Sequence, residues 1–182
     1  MNTATKNLED DHIWVVKLTD VMKAVTLSDE PDIKHIEDII DLIRNFADGL
    51  HHAKEEDIFF PALENKGFSA QQGPVAVMLH EHILGRNFVQ GMAENLELYK
   101  KGNKAALQEI YQNMSGYAEL LVIHIKKENN ILFRMADNAL SASEQKNLLV
   151  QFEAIEQTRT EGKKVNDYIN RIKALAIFYN IE

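Results

Sequence analysis

Between Asp32 and His51 the apolar side chains Ile33, Ile36, Ile39, Ile40, Ile43, Phe46, Ala47 and Leu50 recur at intervals of three and four. That period matches the 3.6-residue turn of an α-helix and puts every one of these side chains on a single stripe. A stripe this long must be buried against other helices, because no strand with a two-residue period could use it. It also runs directly into a polar cluster, His51-His52-Ala-Lys-Glu55-Glu56. The helix that buries the stripe therefore carries imidazole and carboxylate groups toward the interior.

Three further segments show the same period. The first spans about Leu8 to Val25, with His12, Val15, Val16, Leu18, Val21, Met22 and Val25 at helical spacings, and stops at the turn-rich TLSDEPD. Pro74 suits the first turn of another helix, which runs to about Lys101, where Gly102 and Asn103 end it. A fourth covers about Lys104 to Ala139. Ser141-Ala-Ser-Glu144 then has the form of a capping box opening a fifth helical region, interrupted near Gly162. Short connections predict an all-α, antiparallel, up-down-up-down four-helix bundle over residues 1–140. Residues 141–182 are expected to form a C-terminal helical extension, packed on the bundle or at a homodimer contact.

Composition narrows the chemistry. The 182-residue chain has 8 Gly, 3 Pro and no Cys. Without thiols there can be no disulfide scaffold, thiolate zinc site, iron–sulfur cluster or Cys nucleophile. A formal charge of −8 opposes binding to a phosphate backbone, so no nucleic-acid partner is expected. The N-terminus lacks a basic segment followed by an apolar run, and no apolar run approaches the roughly 18 residues of a membrane helix. A cytoplasmic protein with no membrane association is the expectation.

The polar cluster occurs twice. HHAKEEDIFF (51–60) overlays HIKKENNILF (124–133), with agreement at His51/His124, Lys54/Lys127, Glu55/Glu128, Ile58/Ile131 and Phe60/Phe133. In each copy a His precedes a Glu by four residues, one turn away on the same face. A carboxylate buried without a partner costs several kcal/mol, so such groups neutralise, pair or bind a cation. Two carboxylates among neutral imidazoles are best balanced by a pair of divalent metals.

His12 and His82 complete the set. His80 and His82 are separated by about 200° of helix rotation and cannot face one site. His82 shares a face with Val75, Met78, Leu79 and Val89, and Gly85 one turn on would leave room for a metal. His52 and Glu56 form a second His-x3-Glu pair, rotated by about 100°, and read as a solvated flank because Ile125 and Asn129 occupy the equivalent places. His35 and the lysines at 23, 34, 54, 126 and 127 read as solvent-facing. Trp14 and Tyr117 read as packing residues, and Tyr117 is also placed to hydrogen-bond a metal-bound ligand.

With His12, His51-x3-Glu55, His82 and His124-x3-Glu128 assembled, the chain resembles the hemerythrin-like, or HHE cation-binding, family. The phrases FADGLHHAKEEDIFFPAL, GPVAVMLHEHILGR and YAELLVIHIKKENNILFRMAD carry the likeness, which covers about Leu8 to Asp137. The resemblance implies two iron ions in a non-haem, oxo- or hydroxo-bridged centre. The two Glu would bridge the metals and the His would be terminal ligands. It implies binding or sensing of oxygen, nitric oxide or a related small ligand. The alternative is a redox enzyme or iron donor acting on peroxide, nitric oxide or damaged iron centres. Repair proteins of that kind carry a Cys-containing N-terminal segment, and this chain has no Cys.

Two departures from the oxygen-carrying members stand out. Met78 replaces a second His on the third helix, and the last motif is His-x3-Glu instead of His-x4-Asp. With the second His missing, four His and two carboxylates remain, which predicts a more open centre than a dedicated oxygen carrier has. A ferritin-like site needs repeated Glu-x2-His, found on a helix only at Glu9/His12, and a zinc hydrolase needs HExxH, which is absent.

Overall fold

The computed structural model describes residues 3–159 and 164–181, and among them every regular element is a helix. Helix α1 is Ala4–Val25. It begins four residues earlier than the apolar spacing indicates, because the Thr3 hydroxyl accepts the Lys6 N–H and caps the first turn. Helix α2 is one continuous rod over residues 33–64, built from Ile33–Leu42, Ile43–His52, Glu55–Phe59 and Phe60–Glu64. Helix α3 is Pro74–Lys100, with Pro74 in the first turn as expected. Gly102 ends it at φ 100°, a conformation that a side chain would strain. Helix α4 runs over residues 106–139 through Ala106–Lys127, Glu128–Leu132 and Phe133–Ala139.

The C-terminal region is two helices, α5 (Ala142–Arg159) and α6 (Val165–Phe178). The capping box at the start of α5 forms: Glu144 accepts the Ser141 N–H at 2.8 Å and Ser141 Oγ accepts the Glu144 N–H at 3.3 Å. Gly162, where an interruption is expected, lies outside the described residues.

Two apolar clusters fill the bundle. One contains Ala4 and Leu8 of α1, Phe59 to Leu63 of α2, Val75 and Met78 of α3, and Leu132 to Ala136 of α4. The other contains Val15 to Val25, Ile36 to Leu50, Val89 to Leu96 and Ile110 to Ile125. Successive helices traverse the clusters in opposite order, which is the antiparallel bundle read from contacts. Helix α5 adds Leu148 and Phe152 to the first cluster, and α6 adds Tyr168, Ile172 and Leu175 to the second. Both C-terminal helices thus pack against the bundle of their own chain. Among the described residues, no helix is long and apolar enough to cross a membrane.

Candidate metal centre

The polar cluster lies at one level of the bundle, between the two apolar clusters. His12, His51, His52, Glu55, His82, His124 and Glu128 are all buried there, and Glu55 and Glu128 are wholly inaccessible. Their donor atoms fall into two sets. In one, His52, Glu55, His82 and His124 each offer an atom within 4.8 Å of the others; in the second, His12, His51, Glu55 and Glu128 do the same. The fold brings all six sequence-predicted residues together and adds His52. Glu55 belongs to both sets, with Oε2 3.7 Å from His51 Nε2 and 3.4 Å from His82 Nε2. Glu128 also reaches both, with Oε2 3.2 Å from His12 and Oε1 3.3 Å from His124.

The outward ring nitrogens decide what the inward ones can do. His12 Nδ1 donates to Asn129 Oδ1 at 2.7 Å, His82 Nδ1 to Glu56 at 2.6 Å, His124 Nδ1 to Glu81 at 3.0 Å and His52 Nδ1 to Asp48 at 3.2 Å. His51 Nδ1 faces Asp11 Oδ2 at 3.5 Å. A neutral imidazole that donates from Nδ1 has only a lone pair on Nε2, the arrangement typical of metal-bound His. The Nε2 atoms of His12 and His51 lie 3.0 Å apart, and those of His82 and His124 3.2 Å apart. Nitrogens this close need a proton or a metal cation between them. All four oxygens of Glu55 and Glu128 lack a hydrogen-bond donor. Buried carboxylates left this way are satisfied by a cation.

The electrostatics agree. Burial pulls the His124 imidazole down, but Glu128 and Glu81 outweigh it and push it up to about 10. Burial likewise opposes His12 and His82, yet Glu128 raises the first and Glu55 with Glu56 the second. Burial, then the charge of His82, drives His52 far down and keeps it a neutral donor. The interior therefore attracts positive charge around its two carboxylates.

The repeat proves to be a structural two-fold, in which α1–α2 corresponds to α3–α4. Glu55 opens a widened turn closed by Phe60 N–H to Glu55 C=O, and Glu128 opens its counterpart, closed by Phe133 N–H to Glu128 C=O. Such i→i+5 turns swing side chains off the ordinary helical register and are common at functional sites. Lys54 donates to Asp11 at 2.9 Å, and Lys127 pairs with Glu81. Phe60 stacks on His82 at 5.9 Å and Phe133 on His12 at 5.6 Å. Glu56 and Asn129, one position after each repeated Glu, orient the His of the opposite hairpin. The sequence signal for these partners is Asp11-His12-Ile13 beside Glu81-His82-Ile83, a second repeat that periodicity alone passes over.

Several expectations need correction. His52 is no solvated flank: it is buried, stacked on His82 at 3.8 Å, and belongs to one donor set. Glu56 is a half-buried partner of His82 and Arg86. Lys54 is 1% exposed, with Nζ bound by Asn7, Asp11 and Glu156. His35 is half-buried against Phe178 and Tyr179 of the C-terminal region. Gly85 faces the Tyr117 ring, and a Cβ there would meet Tyr117 Cε2 at an ordinary contact distance of 3.5 Å. His80 is exposed, in keeping with the choice of His82. A pocket of about 170 Å³ opens beside His52, lined by Arg44, Asp48, Gly85, Arg86 and Tyr117. The buried Tyr117 hydroxyl has no hydrogen-bond partner there.

Imidazole and carboxylate donors without thiolate suit iron, manganese or zinc, so these residues fit a metal centre. Comparison with curated proteins and with solved structures returns no match. The sequence profile of the hemerythrin HHE cation binding domain matches residues 3–136, which include both donor sets in full. The chain belongs to the hemerythrin HHE cation-binding family.

Proposed function

We propose that the chain holds two iron ions, one among His52, His82, His124 and Glu55 and the other among His12, His51, Glu55 and Glu128. The pair would bind oxygen, nitric oxide or a related small ligand. One observation carries this reading: five buried imidazoles have their outer nitrogens turned to acceptors or carboxylates, and they converge on two carboxylates that no donor satisfies.

The donor count bears on binding against redox turnover. Two six-coordinate ions take about twelve donor positions. Six predicted residues supply eight donor atoms, and His52 makes nine. With a solvent-derived bridge shared by both ions, about one position stays open. That favours reversible binding of a small ligand over the more open centre expected without His52. Iron held there would supply affinity for diatomic ligands. The residues around it do the rest. Phe60, Phe133 and the two apolar clusters exclude water, and Glu56, Asn129 and Glu81 fix the imidazoles. The pocket beside His52 reaches the three-imidazole set, and the buried Tyr117 hydroxyl on its wall has no hydrogen-bond partner.

Elemental analysis after expression with added iron should find close to two irons per chain, and none would remove the reading. Anaerobic reduction followed by oxygen or nitric oxide should then produce visible absorption bands that vanish when the gas is withdrawn. Steady-state consumption of peroxide or nitric oxide above that of the metal-free protein would instead favour the enzymatic alternative.

A further inference from the structure

Lys54 is the most deeply buried cation among the described residues, and no metal-ligand role accounts for it. An ammonium group loses several kcal/mol of hydration on burial, so its partners must be numerous and close. All three of its hydrogens have an acceptor: Asn7 Oδ1 at 3.0 Å, Asp11 Oδ2 at 2.9 Å and Glu156 Oε1 at 2.5 Å. The first two come from α1. The third comes from α5, beyond the residues matched by the family profile. The same Asp11 oxygen faces His51 Nδ1 at 3.5 Å. A continuous line of contacts thus runs from α5 to an inward-facing imidazole: Glu156, Lys54, Asp11, His51. Phe152, one turn before Glu156, lies under the ammonium at 5.9 Å and seals it from water.

Among the described residues, the related half has no such brace. Lys127 holds Glu81, which accepts from His124, but its side chain is 32% exposed and no residue of α5 or α6 is among its ion-pair partners. The two halves are therefore alike in their inner contacts and unlike in what backs them.

We propose that α5 clamps one half of the centre: Glu156, acting through Lys54 and Asp11, is a positioning residue for His51, and it makes the His12–His51 position the slower of the two to exchange its metal. The clamp rests on the reading of the site as a metal centre, and its test separates the two ideas. The protein would be loaded with ferrous iron without oxygen, and release to a ferrous chelator followed over time. Two phases of similar amplitude are expected. Glu156→Gln should accelerate the slow phase about tenfold and leave the fast one unchanged, the scale seen when an orienting partner of a metal-bound His is lost. Lys127→Met should do the reverse, and Glu153→Gln, on the exposed side of α5, should change neither. A single phase in the unsubstituted protein, or equal acceleration of both phases by Glu156→Gln, overturns the clamp. Should the unsubstituted protein take up no iron, the metal reading fails by itself. The clamp is then decided in the metal-free protein by the Nδ1–H resonances. In Glu156→Gln the His51 signal should move and the His124 signal stay, and an unmoved His51 signal overturns it.

Discussion

His52 and Ile125 occupy equivalent positions in the two halves of the bundle, and there the internal symmetry breaks. The His52 ring stacks on His82 at 3.8 Å and contributes to a donor set, whereas Ile125 is buried in the apolar cluster. One donor set therefore offers three imidazoles and the other two. In the proposed centre, that difference puts the open position on the His12–His51 side.

Replacing His52 should cost a metal. His52→Ala is expected to lower iron from near two per chain toward one, while His80→Ala, on the exposed face, leaves it at two. Elemental analysis of the purified variants decides this. Equal iron in the two variants would mean that His52 is only a packing residue.

The converse substitution should close the centre. By the internal symmetry, Ile125→His introduces a third imidazole beside His12 and His51, in a buried place that already holds a side chain of similar bulk. Iron content should stay near two per chain, and the spectral response to oxygen or nitric oxide should fall at least tenfold. An unchanged response would place the open position elsewhere.

Gly49 is expected to resist even the smallest side chain. In the widened turn that leads into His51, a Cβ at this position would lie 2.9 Å from the Arg44 carbonyl oxygen. Gly-to-Ala exchange inside an ordinary helix gains up to about 1 kcal/mol. Here the obstacle is backbone, which cannot rotate aside, and crowding of this kind costs about 1–3 kcal/mol. Gly49→Ala should therefore lower stability by about 1 kcal/mol in urea unfolding of the metal-free protein. A gain in stability would show that the turn can revert to α-helical winding.

The cap of α5 gives a pH signature away from the centre. Lys66 and the Ser141 backbone and hydroxyl lower the Glu144 carboxyl from 4.5 to about 2. A carboxyl depressed on folding stabilises the fold fully above pH 4.5 and loses that contribution as the pH falls through 2. Glu144→Gln should melt below the unsubstituted protein at pH 7, and the difference should shrink steadily below pH 4.5. A gap that stays constant from pH 7 to pH 2 would mean that the carboxylate charge plays no part.

Much of the centre was legible along the chain because helical geometry is local. The stripe through Ile36, Ile43 and Leu50 dictates which way α2 faces, and the four-residue spacing of His51 with Glu55 and of His124 with Glu128 follows from one helical turn. Helix number, order and the matching halves were readable for the same reason. His52 was not. Its spacing places it about 100° from His51 on a regular α-helix, and only the widened turns of α2 bring both rings inward. Lys54 was misread for a different reason. A lysine beside two acids looks like a solvated surface, and its burial depends on Asp11, 43 residues earlier, and Glu156, 102 residues later.

The sequence by itself determined the helices, their antiparallel order and the six buried His and Glu side chains that face inward, since each depends on periodicity within one helix. The tertiary structure decided the inward place of His52, the orientation of His12, His82 and His124 through acceptors on neighbouring helices, and the contact of α5 with Lys54. Those depend on close approaches between segments far apart in the chain, where an ångström of helix winding or packing determines whether a polar group finds its partner.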